Sequence, residues 1–168
     1  MNANFFAAVL LMLSAFVSIV YGLPTGAPTT ACKSMTPNHL NYRPQTSASP
    51  FRTVPANTLM AVGENLDILL ETTATNQFRG FLTMAFDASN TGAGPIGIIS
   101  SVSDGQVIEC TAGFLNAATH VDNVDKSQVS LVWTAPADFT GTVVFWTTFV
   151  QAQDIFWVQV PSATVTVA

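Results

Sequence analysis

Charge is what this sequence has least of. Asp, Glu, Lys and Arg make up 9% of its residues, with five basic side chains against ten acidic ones and a net charge of −5. That balance excludes the basic footprint a nucleic-acid binder needs. Histidine and cysteine are as scarce: His39 and His120, Cys32 and Cys110. Two distant cysteines without clustered histidines lack zinc-ligand spacing. Asp122-Asn123-Val124-Asp125 lacks the later Gly and Glu of a calcium loop and reads as a polar turn, with oxygen ligation from a sandwich loop as the alternative. No Gly-x-Ser-x-Gly is present, and no Ser or Cys stands ready as a nucleophile beside His39 or His120. Gly92-x-Gly94-Pro95-x-Gly97 lacks the lysine and the following helix of a phosphate loop. No Asn-x-Ser/Thr sequon occurs after residue 22. No catalytic residue, cofactor or metal is therefore expected, and a binding protein is favoured over an enzyme.

What is present begins with an uncharged stretch, residues 1–22, holding an apolar block from Phe5 to Phe16. The small residue Gly22 suits signal-peptidase cleavage. The run approaches the ~20 residues of a membrane span, but Pro24 and Gly26 follow at once and no basic cluster stops transfer. Residues 1–22 are thus read as a signal peptide and 23–168 as one secreted domain, with no later segment able to span a membrane. In that setting the pair Cys32 and Cys110 reads as a disulfide, two buried free thiols being the alternative. The bridge would close a loop of about 78 residues, for which the chain-entropy estimate is roughly 4 kcal/mol.

Six prolines between residues 23 and 57 forbid long helix and central strand. The segment reads as an extended arm along the domain, pinned by Cys32, with Met35, Tyr42 and Phe51 available to pack. Beyond it the apolar period is two. Leu66, Ile68 and Leu70 alternate with Asp67 and Glu71, which is a half-buried strand. Phe78, Leu82, Met84 and Phe86 are expected on one face of the next strand, and Phe81 and Ala85 on the other. Asp87 to Gly105 reads as a long irregular loop with room for a short strand at Ile96 to Ser100. Val129, Leu131 and Trp133 share a face, placing Trp133 in the core. Strands at Thr142–Gln151, Phe156–Val160 and Ala163–Val167 follow. About seven to nine short strands and no helical period predict an all-β sandwich. The neighbours Phe145-Trp146 and Phe156-Trp157 point to opposite faces of their strands. One of each pair is then free to form an outer aromatic platform, unless the second sheet and the arm cover both faces.

Residues Leu23 to His39, opening Leu-Pro-Thr-Gly-Ala-Pro, resemble the start of a reelin (reeler) domain. So do Phe78-Arg79-Gly80-Phe81-Leu82, Ala118-Thr119-His120, Val132-Trp133-Thr134-Ala135-Pro136, Gly141-Thr142-Val143-Val144-Phe145 and Phe156-Trp157-Val158. Leu40 to Pro50 carries no recognisable family motif. A single such domain behind a signal peptide is similar to the insect defence proteins. The resemblance implies an immunoglobulin-like antiparallel β-sandwich with Cys32 bridged to Cys110, secreted into haemolymph. It also implies an innate-immune, antibacterial role through binding of bacterial envelope lipids or polysaccharides, or of haemocyte surfaces. A structural or storage-like extracellular protein is the alternative. Ligand contacts are expected from exposed aromatics and the Asp87–Gly105 segment.

Overall fold

The computed structural model describes residues 24–39, 41–111 and 113–168; the expected signal peptide, 1–22, lies outside them. The described residues hold eleven strands: β1 Phe51–Pro55, β2 Leu59–Met60, β3 Asn65–Thr72, β4 Gly80–Asp87, β5 Ile98–Val102, β6 Gln106–Ile108, β7 Ala117–Thr119, β8 Gln128–Thr134, β9 Gly141–Ala152, β10 Ile155–Pro161 and β11 Val165–Val167. One sheet has the order β1-β3-β8-β5. The other runs β2-β11-β9-β4-β7-β6, with β10 also paired to β9. The sheets pack face to face as the expected sandwich. Pairing is antiparallel except between β11 and β2. β2 and β11 lie toward opposite ends of the domain's sequence, so the chain between them far exceeds the dozen residues a parallel pair needs for its connection.

Alternation predicts the register well where one sheet face meets solvent. Leu66 pairs with Trp133, Ile68 with Leu131 and Leu70 with Val129. All six are buried and meet Phe81, Ala85, Val143, Phe145, Phe149, Val165 and Val167 in the main core. Between the sheets the hydroxyl of Thr147 bonds those of Thr53 and Thr83, each at 2.7 Å. This chain satisfies three buried hydroxyls that would otherwise each carry a desolvation cost.

β4 is buried on both faces. Leu82, Met84 and Phe86 leave the main core and join Ala31, Cys32 and Met35 of the arm in a second cluster. Phe78, expected with them, instead lies in the main core against Phe51, Phe81 and Phe149. It precedes β4 and pairs with Lys126 as an isolated bridge, so the period-two count does not carry through Arg79. The arm's Met35 and Phe51 pack as expected, whereas Tyr42 is 51% exposed. The arm also supplies a strand: β1 occupies a sheet edge, with Pro55 at its end, where a missing N–H is tolerated.

Lys126 has a side chain only 1% exposed. Its Nζ donates to Asp122 Oδ1 at 2.5 Å and to the Val124 carbonyl at 3.0 Å, with Asp104 Oδ2 at 3.9 Å. Val124 N–H also donates to Asp122 Oδ1 at 3.0 Å. The polar turn at 122–125 is thus a clamp around a buried ammonium. The Lys126 hydrogen bond, then that from Val124, holds the Asp122 carboxyl below its ordinary 3.8. A carboxyl depressed on folding adds stability above its unfolded pKa and loses it as pH falls through the lower folded value. Urea midpoints should therefore drop below about pH 4. Asp122→Asn should flatten part of that drop; the rest includes Asp87, held low by Ser89. An acid limb identical in the variant would remove Asp122 from the account.

Candidate functional site

The arm from Pro24 to His39 crosses the outer face of the larger sheet, tied down by side chains far away in sequence. Ala27 N–H donates to Thr119 Oγ1 at 2.9 Å, and Thr119 Oγ1 donates to the Phe81 carbonyl at 2.7 Å. Gln106 Nε2 donates to the Thr25 carbonyl at 2.6 Å, and Thr148 Oγ1 to that of Met35 at 2.7 Å. Cys32 and Cys110 are disulfide-bonded with Cα atoms 5.5 Å apart. The buried Asn116 holds Cys110 from both sides: its Oδ1 accepts the Cys110 N–H at 2.7 Å and its Nδ2 donates to the Cys110 carbonyl at 2.8 Å.

Between this arm and the sheet lies a cleft of about 370 Å³, within the range of small-molecule sites. Its walls are mainly apolar, with Ala27, Ala31, Met35 and Pro37 from the arm, Leu82 from β4 and Val150 from β9. Both histidines of the chain line it, together with Arg79 and amides at Asn38, Asn123 and Gln153. None of the ten carboxylates does.

His39 is 8% exposed and stands edge-on to Phe156, ring centroids 5.3 Å apart. Burial pushes its imidazole below the ordinary 6.5, partly offset by a hydrogen bond with the Gln153 backbone. At neutral pH it is therefore uncharged. Its Nδ1 is buried and has no hydrogen-bond partner among the described residues. His120 Nδ1 lies 3.2 Å from the Phe81 N–H. Its ring fits because residue 80 is glycine: a Cβ there would stand 3.1 Å from His120 Cε1. Arg79 Nε donates to Asp125 Oδ1 at 2.6 Å, so its guanidinium is held at the rim.

The structure shows what surrounds the aromatic pairs singled out in the sequence. Phe156 faces the arm and Trp157 the main core, both buried. Trp146 is half-buried and lies 4.9 Å from Phe86. The arm and the opposite sheet thus cover both faces, and no aromatic platform forms there. Within Asp87–Gly105 the short strand expected at Ile96–Ser100 forms as β5, shifted to Ile98–Val102; it pairs with β8 and buries Ile99. Among the described residues no three His, Cys, Asp or Glu gather as a metal site, and no helix is long and apolar enough to cross a membrane. The sequence reading missed Thr119, Asn116, Thr148 and Arg79. Asn116 bonds Cys110 six positions away, whereas the partners of the other three lie across the fold, as far as 113 positions off, and no local pattern announces them.

The model of the Reeler domain family matches residues 30–168. "Putative defense protein 3" of Antheraea mylitta is 38% identical over 165 residues, covering 96% of each chain. "Putative ferric-chelate reductase 1 homolog" of Drosophila melanogaster is 37% identical over 145 residues, 83% of this chain but 22% of that protein. Among solved structures, the human F-spondin reeler domain superposes with a TM-score of 0.64 at 16% identity, covering 77% of this chain and 96% of that one.

Proposed function

This chain belongs to the Reeler domain family, and from that premise we propose that it is an extracellular defence protein that recognises microbial surface material through the cleft beneath its N-terminal arm. Support for the defence role comes from the full-length similarity to the Antheraea mylitta protein. The observation that carries the site is the cleft itself: apolar, covered by a disulfide-anchored arm, and free of carboxylates. The activity named for the Drosophila melanogaster relative is not carried over, because this chain spans only 22% of that protein. Recognition without bond-making is the chemistry proposed. Secretion after removal of residues 1–22, residence in haemolymph and aggregation of haemocytes belong to the same proposal.

The test is capture of the purified protein by lipopolysaccharide, peptidoglycan, β-glucan and whole bacteria. Ala152→Trp, which fills the cleft from the end of β9, is expected to cut capture by about tenfold or more while leaving the urea midpoint nearly unchanged. Capture should weaken only mildly from low to physiological salt, since screening acts on exposed charges. Failure to bind any envelope component would overturn the proposal in favour of a structural extracellular role.

A further inference from the structure

The polar groups around the cleft divide by depth. Thr30, Asn38, Arg79, Asn123 and Gln153 are exposed and stand at its rim. Those deeper in are already bonded or out of reach. Thr148 Oγ1 donates to the Met35 carbonyl at 2.7 Å and accepts the Gln159 N–H at 3.2 Å. Gln151 Oε1 accepts from Asn76 Nδ2 at 3.2 Å, and His120 Nδ1 lies 3.2 Å from the Phe81 N–H. His39 Nδ1 is enclosed by protein and presents no surface to the cleft. A guest therefore meets Ala27, Ala31, Met35, Leu82 and Val150. A sugar placed there would give up water without finding partners for its hydroxyls, which costs free energy. Phe81 offers it no stacking face, being 1% exposed with its ring against Phe78. An alkyl chain gains by the same transfer. Met35 adds an adaptable wall: its φ is +52°, a conformation an L residue adopts at a cost, and its unbranched thioether reshapes around a guest.

Charge at the rim has one sign. Of Asp, Glu, Lys and Arg, only Arg79 lines the cleft among the described residues, in a chain of net charge −5. Its Nε bond to Asp125 uses only part of the guanidinium fork. The rim thus complements an anion, and the interior an apolar chain.

Resting on the reading of the cleft as a recognition site, we infer that its ligand is a single alkyl chain with an acidic head: the chain lies between the arm and the sheet, and the head meets Arg79. A free fatty acid and an acyl chain of an anionic envelope lipid share this chemistry.

Titration calorimetry on the intact secreted protein uses octanoate, decanoate and dodecanoate below their micelle thresholds, with dodecyltrimethylammonium and maltose as counterparts. Affinity is expected to rise about fourfold per added methylene, the factor that burial of one CH₂ carries. Dodecanoate should bind about fivefold more tightly than dodecyltrimethylammonium, the scale of one exposed charge pair, and maltose should not bind. Arg79→Gln should erase the preference for the acid and keep the dependence on chain length; Arg79→Lys should restore part of the preference. Ala152→Trp should abolish both. Should a variant not fold, the series on the unaltered protein still decides. A second arm uses phosphatidylcholine vesicles with and without lipopolysaccharide. Capture of the doped vesicles alone, competed by dodecanoate, assigns the chain to an anchored envelope lipid; binding of dodecanoate without vesicle capture assigns it to a free amphiphile. Affinity independent of chain length, or a preference for the ammonium, overturns the inference. Envelope capture that dodecanoate does not compete overturns it alone, whereas absence of both capture and binding removes the proposed function as well.

Discussion

Trp133→Ala is expected to lower stability by about 3–5 kcal/mol, near the top of what a single substitution does. Trp133 is fully buried near the C-terminal end of β8, which β3 and β5 flank. Its ring meets Phe145 edge-on with centroids 5.3 Å apart. Truncation opens a cavity where both sheets converge, and close-packed neighbours relax only in part. It also removes the indole Nε1 that donates to the Ile96 carbonyl at 3.0 Å, leaving that acceptor to find water. Gly97 is part of the same fit: its φ is +74°, and a Cβ there would stand 2.4 Å from that indole nitrogen. Gly97→Ala should therefore be destabilising in its own right. Urea unfolding at constant m-value measures both. A loss below about 1 kcal/mol for Trp133→Ala would refute the packing described.

Cys110→Ser is expected to cost roughly 2–5 kcal/mol and to reduce secretion. The bridge spans 78 positions and fastens the arm over Leu82, Met84, Phe86 and Val144. Loss of the bridge frees the unfolded chain. It also leaves the arm held by its hydrogen bonds and apolar contacts alone. Ligand capture should fall further than global stability, because the arm forms one wall of the cleft. Limited proteolysis should then cut first between residues 24 and 39. Native protein with two alkylatable thiols, or a variant with the original midpoint and an intact arm, would contradict the assignment. Asn116→Ala is the milder companion, since it leaves the bridge but removes both hydrogen bonds that position Cys110.

The strands β3 and β8 were legible because each meets core on one face and solvent on the other. Burial then writes itself into the sequence as alternation. In β4 the two faces were legible, Leu82, Met84 and Phe86 on one and Phe81 and Ala85 on the other, but not what covers each, because both are buried and the apolar run does not say which turns to the sheet opposite. In Asp87–Gly105 the short strand was legible but not its bounds: β5 is a sheet edge with one buried residue, Ile99, flanked by exposed Ile98 and Ser100, a pattern too brief to set its ends. The pair Phe156-Trp157 was read correctly as pointing two ways, yet what covers each face comes from residues far off along the chain.

Composition, period and cysteine count determined by themselves an all-β sandwich, a buried Trp133, an extended proline-rich arm and a pairing of Cys32 with Cys110, because those properties depend on neighbours along the chain or on there being only two thiols. Only the tertiary structure decided where the arm lies. Its anchors are hydrogen bonds spanning 92 positions to Thr119 and 113 to Thr148. Docking of the arm brings His39 and His120 into one cleft free of carboxylates and leaves His39 Nδ1 without a partner. A binding site made by laying one segment across another has no local period, so it becomes visible only when the chain has folded.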